Sequence, residues 1–275
     1  MAQEQLQKYF DRIDCPGISA PTLRFLSTLQ RRHSLTIPFE NLNPLLNIPV
    51  LLDFETLFHK LIIDKRGGYC YEQNIFFLEI LKTLGFTARG LTGRVMTEGR
   101  IHPRRTHMLI LAEIAGEAYI SDVGFGSSSS CTPLLLKTDI VQNTLSGDYR
   151  LIAQGNDGFI LQTFFNDNWR SLYFFDLDQQ FQEDFEVGNW YTSTNSAANF
   201  KHNLMMSLKG ENCRFTLDNN VFSTYHPDGS KEKQVLKTTD EIRRIMSQTF
   251  QIHLNNLPGL DIKLREFIEN SPAEN

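Results

Sequence analysis

Arg66-Gly67-Gly68-Tyr69-Cys70-Tyr71-Glu72-Gln73-Asn74 runs directly into Ile75-Phe76-Phe77-Leu78-Glu79-Ile80-Leu81-Lys82-Thr83-Leu84. The second part spaces Phe77, Ile80, Leu81 and Leu84 at helical intervals, and Gly85 follows where a helix C-terminus favours glycine. Ahead of the helix, Gly67-Gly68 allows a tight, closely approaching backbone. The thiol of Cys70 therefore falls at or near a helix N-terminus, where the dipole favours thiolate over thiol, and Arg66 adds to the effect. Cysteines stand at 15, 70, 131 and 213, and only Cys70 has such a setting. The other three read as small buried hydrophobes, and the absence of a CxxC pair excludes a zinc finger or a dense disulfide framework. Taken alone, the stretch fits a nucleophile and a structural cysteine packed under a turn about equally.

On the N-terminal side the chain continues to read as helical. Pro21 stands at a plausible first helical position before Leu23, Leu26 and Leu29, and Asp53 is placed to cap a helix carrying Leu57, Phe58, Leu61 and Ile62. Residues 1–90 are expected to form a helical bundle. On the C-terminal side the period changes. Met108 to Ala112 and Ala118 to Val123 are short apolar runs joined by Glu113-Ile114-Ala115-Gly116-Glu117, a hairpin. Strands are expected at 149–154, 159–164 and 169–175, separated by Gly155-Asn156-Asp157-Gly158 and Asn166-Asp167-Asn168, so residues 91–190 read as a barrel or meander. Residues 191–275 read as an α/β segment, with strands at 204–208, 213–217 and 221–225 and one helix near 240–250. Ser127-Ser128-Ser129-Ser130 reads as a flexible loop.

A thiolate nucleophile needs an imidazole, and the imidazole an orienting partner. The hairpin selects among the histidines. With its turn centred between Ile114 and Ala115, His107 lies opposite Asp122. A shift of two residues leaves them diagonal on one face, still within hydrogen-bond reach, whereas a shift of one separates them. Without Cys70 the pair reads as a cross-strand polar contact at a sheet rim. His59 on an apolar helix and His102 in an Arg-rich loop read as local. Cys70, His107 and Asp122 are also zinc-ligand types, although the close paired spacing of zinc sites is missing.

Composition narrows the function classes. The chain has 275 residues, 41% hydrophobic and 21% charged, which is a globular balance with room for a substantial core. No run approaches the ~20 apolar residues of a membrane helix. The start lacks a basic region leading into an apolar core, so the expectation is a cytoplasmic protein with no membrane partner. A net charge of −5 makes nucleic acid a poor partner. No Gly-rich phosphate loop of Rossmann or P-loop type is present.

The same residues resemble the arylamine N-acetyltransferase family. Ile37-Pro38-Phe39-Glu40-Asn41 is similar to the family's early motif, and Arg66 to Asn74 to its nucleophile motif. Thr106-His107-Met108-Leu109 and Asp122-Val123-Gly124-Phe125-Gly126 are similar to its histidine and DVGFG strands. The resemblance covers essentially the whole chain. It implies an α+β fold with an N-terminal helical bundle, a central β-barrel and a C-terminal α/β lid around a papain- or transglutaminase-like Cys-His-Asp core. It implies a ping-pong reaction in which Cys70 takes the acetyl group of acetyl-coenzyme A and passes it to an aromatic amine or hydrazine. His107 would be the base and Asp122 its orienter. Phe39 and Phe125 would line the acceptor pocket, and Gly126 and Phe200 would lie along the coenzyme A cleft. Acetyl-coenzyme A enters as cosubstrate, with no metal, in a monomer or homodimer. Asn195-Ser196-Ala197-Ala198-Asn199-Phe200 lacks the family's proline there, and Ser127–Ser130 is longer and more polar than usual. The alternatives are an amide synthase of the same fold using a larger acyl donor, a cysteine hydrolase, and a small-molecule-binding protein with an inactive triad.

Overall fold

The structure, a computed structural model, describes residues 1–270; the last five residues of the 191–275 segment lie outside the described residues. Four helices, Gln3–Arg12, Leu23–Thr36, Phe54–Phe58 and Cys70–Thr83, gather one core in which Tyr9, Phe10, Leu26, Phe76 and Phe77 are almost fully buried. Asp53 caps its helix, its carboxylate accepting the Thr56 N–H at 2.9 Å. Pro21 stays outside: Thr22 is the N-cap, its hydroxyl accepting the Phe25 N–H at 3.3 Å, and the helix starts at Leu23. Gly85 takes φ +82° and ends the helix that starts at Cys70. That helix starts five residues before the periodic run, at Cys70. Its first turns are buried on all sides, so Cys70 to Asn74 show no polar face to periodicity.

Eight strands form a nearly closed antiparallel barrel in the spatial order 134–135, 117–121, 107–114, 87–97, 168–176, 158–165, 147–154 and 142–144. At the open seam the Gln142 side chain bridges the two edge strands. Gln142 accepts the Leu135 N–H at 2.8 Å and donates to its carbonyl at 2.9 Å, doing what a neighbouring strand would do. The central strand Thr87–Thr97 has no counterpart in the sequence reading, because Gly90 and Gly93 break its alternation. Both glycines answer to tertiary packing: a Cβ on Gly90 would stand 2.5 Å from the Phe185 ring, and one on Gly93 3.2 Å from the Phe174 carbonyl. Phe185 belongs to a helix, Gln182–Thr194, that the sequence also hid; it exposes Val187 and Trp190 and carries no apolar stripe.

The C-terminal sheet runs 39–40, 205–209, 214–218, 221–225 and 231–235, all antiparallel, and is covered by helices Thr239–Gln248 and Leu260–Glu269. The last third therefore holds more helix than the single one expected. Phe39-Glu40 pairs with Ser207 and Met206 and bridges to Gly68, tying the loop before Cys70 to this sheet.

Candidate active site

The loop before Cys70 is fixed by a buried charge cluster. Arg66 donates twice to one Glu40 oxygen, at 2.9 and 2.6 Å, while Lys60 reaches Glu72 at 2.6 Å and Glu40 at 3.8 Å. The other oxygens of both carboxylates accept backbone N–H groups, of Leu42 at 2.7 Å and Tyr69 at 3.1 Å. Burial alone would raise Glu40, but Arg66 and then Lys60 outweigh it and hold its carboxyl below the ordinary range. Lys60 sits in the π-helical turn His59–Ile63, which sets it beneath Glu72. Gly67 and Gly68 are present for space: a Cβ would stand 2.1 Å from the Pro38 carbonyl in one case and 2.9 Å from Glu72 in the other.

Cys70 is the first residue of its helix, with its sulfur 3.6 Å from the Thr106 carbonyl oxygen. His107 begins the strand beside it. The hairpin turn is Ala115-Gly116, with φ of +54° and +83°, one residue later than the centre first considered, so Ile110 pairs with Ser121. Two successive positive φ values define a type I′ turn, which favours glycine at its second position. His107 and Asp122 are thus diagonal neighbours, and Nε2 lies 2.8 Å from Asp122 Oδ2. The other ring nitrogen, Nδ1, is left for the side on which Cys70 contributes. Asp122 is saturated with donors. Oδ2 also accepts the Tyr173 hydroxyl at 3.0 Å, and Oδ1 accepts Asn74 Nδ2 and the Gly124 N–H, each at 2.9 Å.

Burial would depress the His107 imidazolium, but the Asp122 charge and hydrogen bond, followed by Cys70, overcome it and raise the group to about 9. Asp122 is held low in turn: burial opposes its charge, and His107, Asn74 and Gly124 prevail. A raised histidine contributes stability that is complete below its ordinary 6.5 and lost as pH rises through about 9. Thermal unfolding of His107→Gln is expected to show a flatter pH dependence than the wild type across that window. Parallel curves would mean that the pair does not titrate there.

Phe125 stacks edge-on to His107 at 4.8 Å and to Tyr173 at 4.9 Å, walling the imidazole from water. Phe39 meets Phe200 at 5.8 Å, and Phe200 meets Tyr69 at 5.6 Å, so these rings border the loop before Cys70. Gly126, at φ +79°, lies against both Phe39 and Ser207. Cys70, Phe39 and the His107–Asp122 pair thus meet at one loop, 122–126, and Phe200 is reached from it through Phe39. Among the described residues no group of three or more His, Cys, Asp or Glu side chains is arranged to hold a metal ion.

The sequence reading missed Asn74 and Tyr173. Asn74 had a signal, since it lies one helical turn after Cys70 and faces the same way. Tyr173 had none, coming from a barrel strand far along the chain. The four serines 127–130 are also not a flexible loop: Ser129 and Ser130 are buried. The Tyr149 hydroxyl donates to the Ser128 and Ser129 carbonyls at 3.1 Å, and Gln30 donates to the Ser130 carbonyl at 2.8 Å.

A sheet-borne His-Asp pair beside a cysteine at a helix start is the arrangement at the centre of this fold. The family profile for N-acetyltransferases matches residues 22–258. The arylamine N-acetyltransferase of Escherichia coli K12 is 37% identical over 253 residues, 91% of this chain and 90% of that one. The arylamine N-acetyltransferase structure from Mycobacterium tuberculosis superposes with a TM-score of 0.90 at 35% identity, covering 94% of this chain and 99% of that one. The enzyme from Mycobacterium marinum, solved in complex with CoA, gives 0.91 at 34%, covering 95% and 99%. The chain belongs to the arylamine N-acetyltransferase family and is an acyltransferase. Among the described residues no helix is long and apolar enough to cross a membrane.

Proposed function

We propose that the protein transfers the acetyl group of acetyl-coenzyme A to arylamines, arylhydrazines and related aromatic amines by a ping-pong route through acetyl-Cys70. The reading rests chiefly on the alignment Asp122–His107–Cys70, with the sulfur at a helix start. In the first half-reaction the Cys70 thiol gives its proton to His107, and the thiolate attacks the thioester carbonyl. The new S–C bond forms as the bond to the coenzyme A sulfur breaks, and that thiolate leaves with the proton from the imidazolium. In the second half-reaction the amine nitrogen attacks the acetyl-cysteine carbonyl and loses a proton to His107, and Cys70 departs. Asp122 holds the imidazole tautomer and stabilises its charged form. Thioester exchange is nearly balanced in energy, so the acetyl-enzyme survives only if water is kept out. The rings of Phe125 and Phe39 serve that exclusion and offer faces to an aromatic acceptor.

Intact-protein mass spectrometry after mixing with acetyl-coenzyme A tests both halves. One acetyl group is expected on Cys70, discharged by an aromatic amine. No adduct on a Cys70 that still alkylates readily would sink the donor assignment.

A further inference from the structure

The proposed transfer uses His107, and the core holds a second buried histidine that it does not use. His33, on the helix Leu23–Thr36, is packed against the rings of Phe77 and Tyr9, at 5.2 and 6.0 Å. Its Nε2 lies 3.2 Å from Gln73 Oε1, and its Nδ1 lies 3.2 Å from the Tyr9 hydroxyl. The next link decides which atom donates. Gln73 Nε2 gives its two N–H groups to the carbonyls of Gly68, at 2.7 Å, and Pro38, at 3.2 Å, so Oε1 can only accept. His33 must therefore carry its proton on Nε2, while Nδ1 accepts from Tyr9. Burial holds the His33 imidazolium down to about 3, with Arg12 acting in the same sense and the Gln73 bond against it. Burial also pushes the Tyr9 hydroxyl well above its ordinary range, so it stays a donor. Every proton in the line Tyr9–His33–Gln73 thus has one place.

The two carbonyls are those that join the loop before Cys70 to the strand Phe39–Glu40. Pro38 O also accepts the Gly68 N–H at 3.3 Å, and Gly68 O the Glu40 N–H at 3.1 Å, so Gln73 spans the whole junction. Gln73 stands one helical turn beyond Cys70, and its neighbour Asn74 holds the Asp122 carboxylate. Two successive residues of one helix therefore clamp the loop on one side and the carboxylate on the other. We propose that His33 is a positioning residue for acetyl transfer: by donating from Nε2 it holds the Gln73 amide in the one orientation that secures Gly68 and Pro38, and so sets the Cys70 sulfur against His107. This rests on the reading of Cys70 as nucleophile and adds to it a residue from a separate helix. A rigid imidazole offers a donor and an acceptor at fixed separation. A side-chain amide reaches only one of the two places: asparagine has the length that serves Nδ1, and glutamine the length that serves Nε2.

The test is the pair His33→Asn and His33→Gln. Each keeps one hydrogen bond and abandons one buried partner, so both should lower the melting temperature by a similar amount. Only His33→Gln still donates to Gln73. His33→Asn is expected to slow acetyl-enzyme formation on the order of 10–100-fold, as for an ångström-scale misplacement of a reacting group, with the KM for acetyl-coenzyme A unchanged, while His33→Gln regains most of the rate. The rate of Cys70 alkylation by iodoacetamide should divide the two variants in the same order. Equal rates in the two variants, whether both fall in step with the melting temperature or both stay at the wild-type level, overturn the proposal. Alkylation needs no acetyl-coenzyme A. If the wild type forms no acetyl-Cys70 yet alkylation divides the variants, the donor reading has failed and the positioning role stands. Nitrogen NMR of histidine-labelled wild type decides the matter without a variant. The His33 ring should be neutral with its proton on Nε2 at about pH 5, where an ordinary imidazole is charged. A proton on Nδ1 overturns the proposal.

Discussion

Cys70→Ala is expected to abolish acetyl transfer, with loss of at least about 10⁴-fold in kcat/KM and no acetyl adduct detectable by mass spectrometry. The structure gives reason to expect the fold to survive. Cys70 Cα packs against Gly124, and the sulfur's contact with the backbone is a long one, 3.6 Å to the Thr106 carbonyl. The charge cluster that shapes the loop runs through Glu40, Lys60, Arg66 and Glu72 and does not involve the thiol. Loss of activity with an unchanged melting temperature would therefore separate chemistry from packing. Retention of full activity would remove Cys70 from the mechanism.

Asp122→Asn should cost on the order of 10³–10⁴-fold in kcat with little change in shape. Four donors converge on this carboxylate, and an amide must turn its own NH₂ toward one side. Facing Asn74 and the Gly124 N–H, that NH₂ would oppose two donors that have no alternative. It therefore turns to the Oδ2 position, opposite His107 Nε2 and the Tyr173 hydroxyl. The hydroxyl can rotate. The imidazole can accept only by moving its proton to Nδ1, the nitrogen left for Cys70, where it no longer takes the thiol proton. The check is a rate loss accompanied by a fall in the pH at which Cys70 alkylation by iodoacetamide loses its imidazolium assistance. A near-wild-type rate would make Asp122 a structural residue.

Most of the proposed line Cys70–His107–Asp122 was legible because its spacing is local. The Gly-Gly-x-Cys stretch, the helix after it and the two ends of one hairpin are each short segments whose chemistry follows from a few neighbours. Even the hairpin's register error was harmless, because a shift of two residues preserves the face, and Gly116 set that shift by its demand for positive φ. What failed to show was whatever is buried on every side or cut to fit something distant. The strand Thr87–Thr97 carries Gly90 to accommodate Phe185, and the helix Gln182–Thr194 delivers that ring from about ninety residues later.

The sequence by itself determined the family and singled out Cys70, His107 and Asp122 as the candidate nucleophile, base and orienting carboxylate, because these reside in contiguous motifs whose residue types have few other uses. Only the tertiary structure decided that Tyr173 and Asn74 hold that carboxylate, that Gln142 closes the barrel, and that four serines are pinned rather than loose. Those groupings join residues from separate helices, loops and sheets. Hydrogen bonds and unpaired charges act over a few ångströms in space, and the chain order carries no record of them.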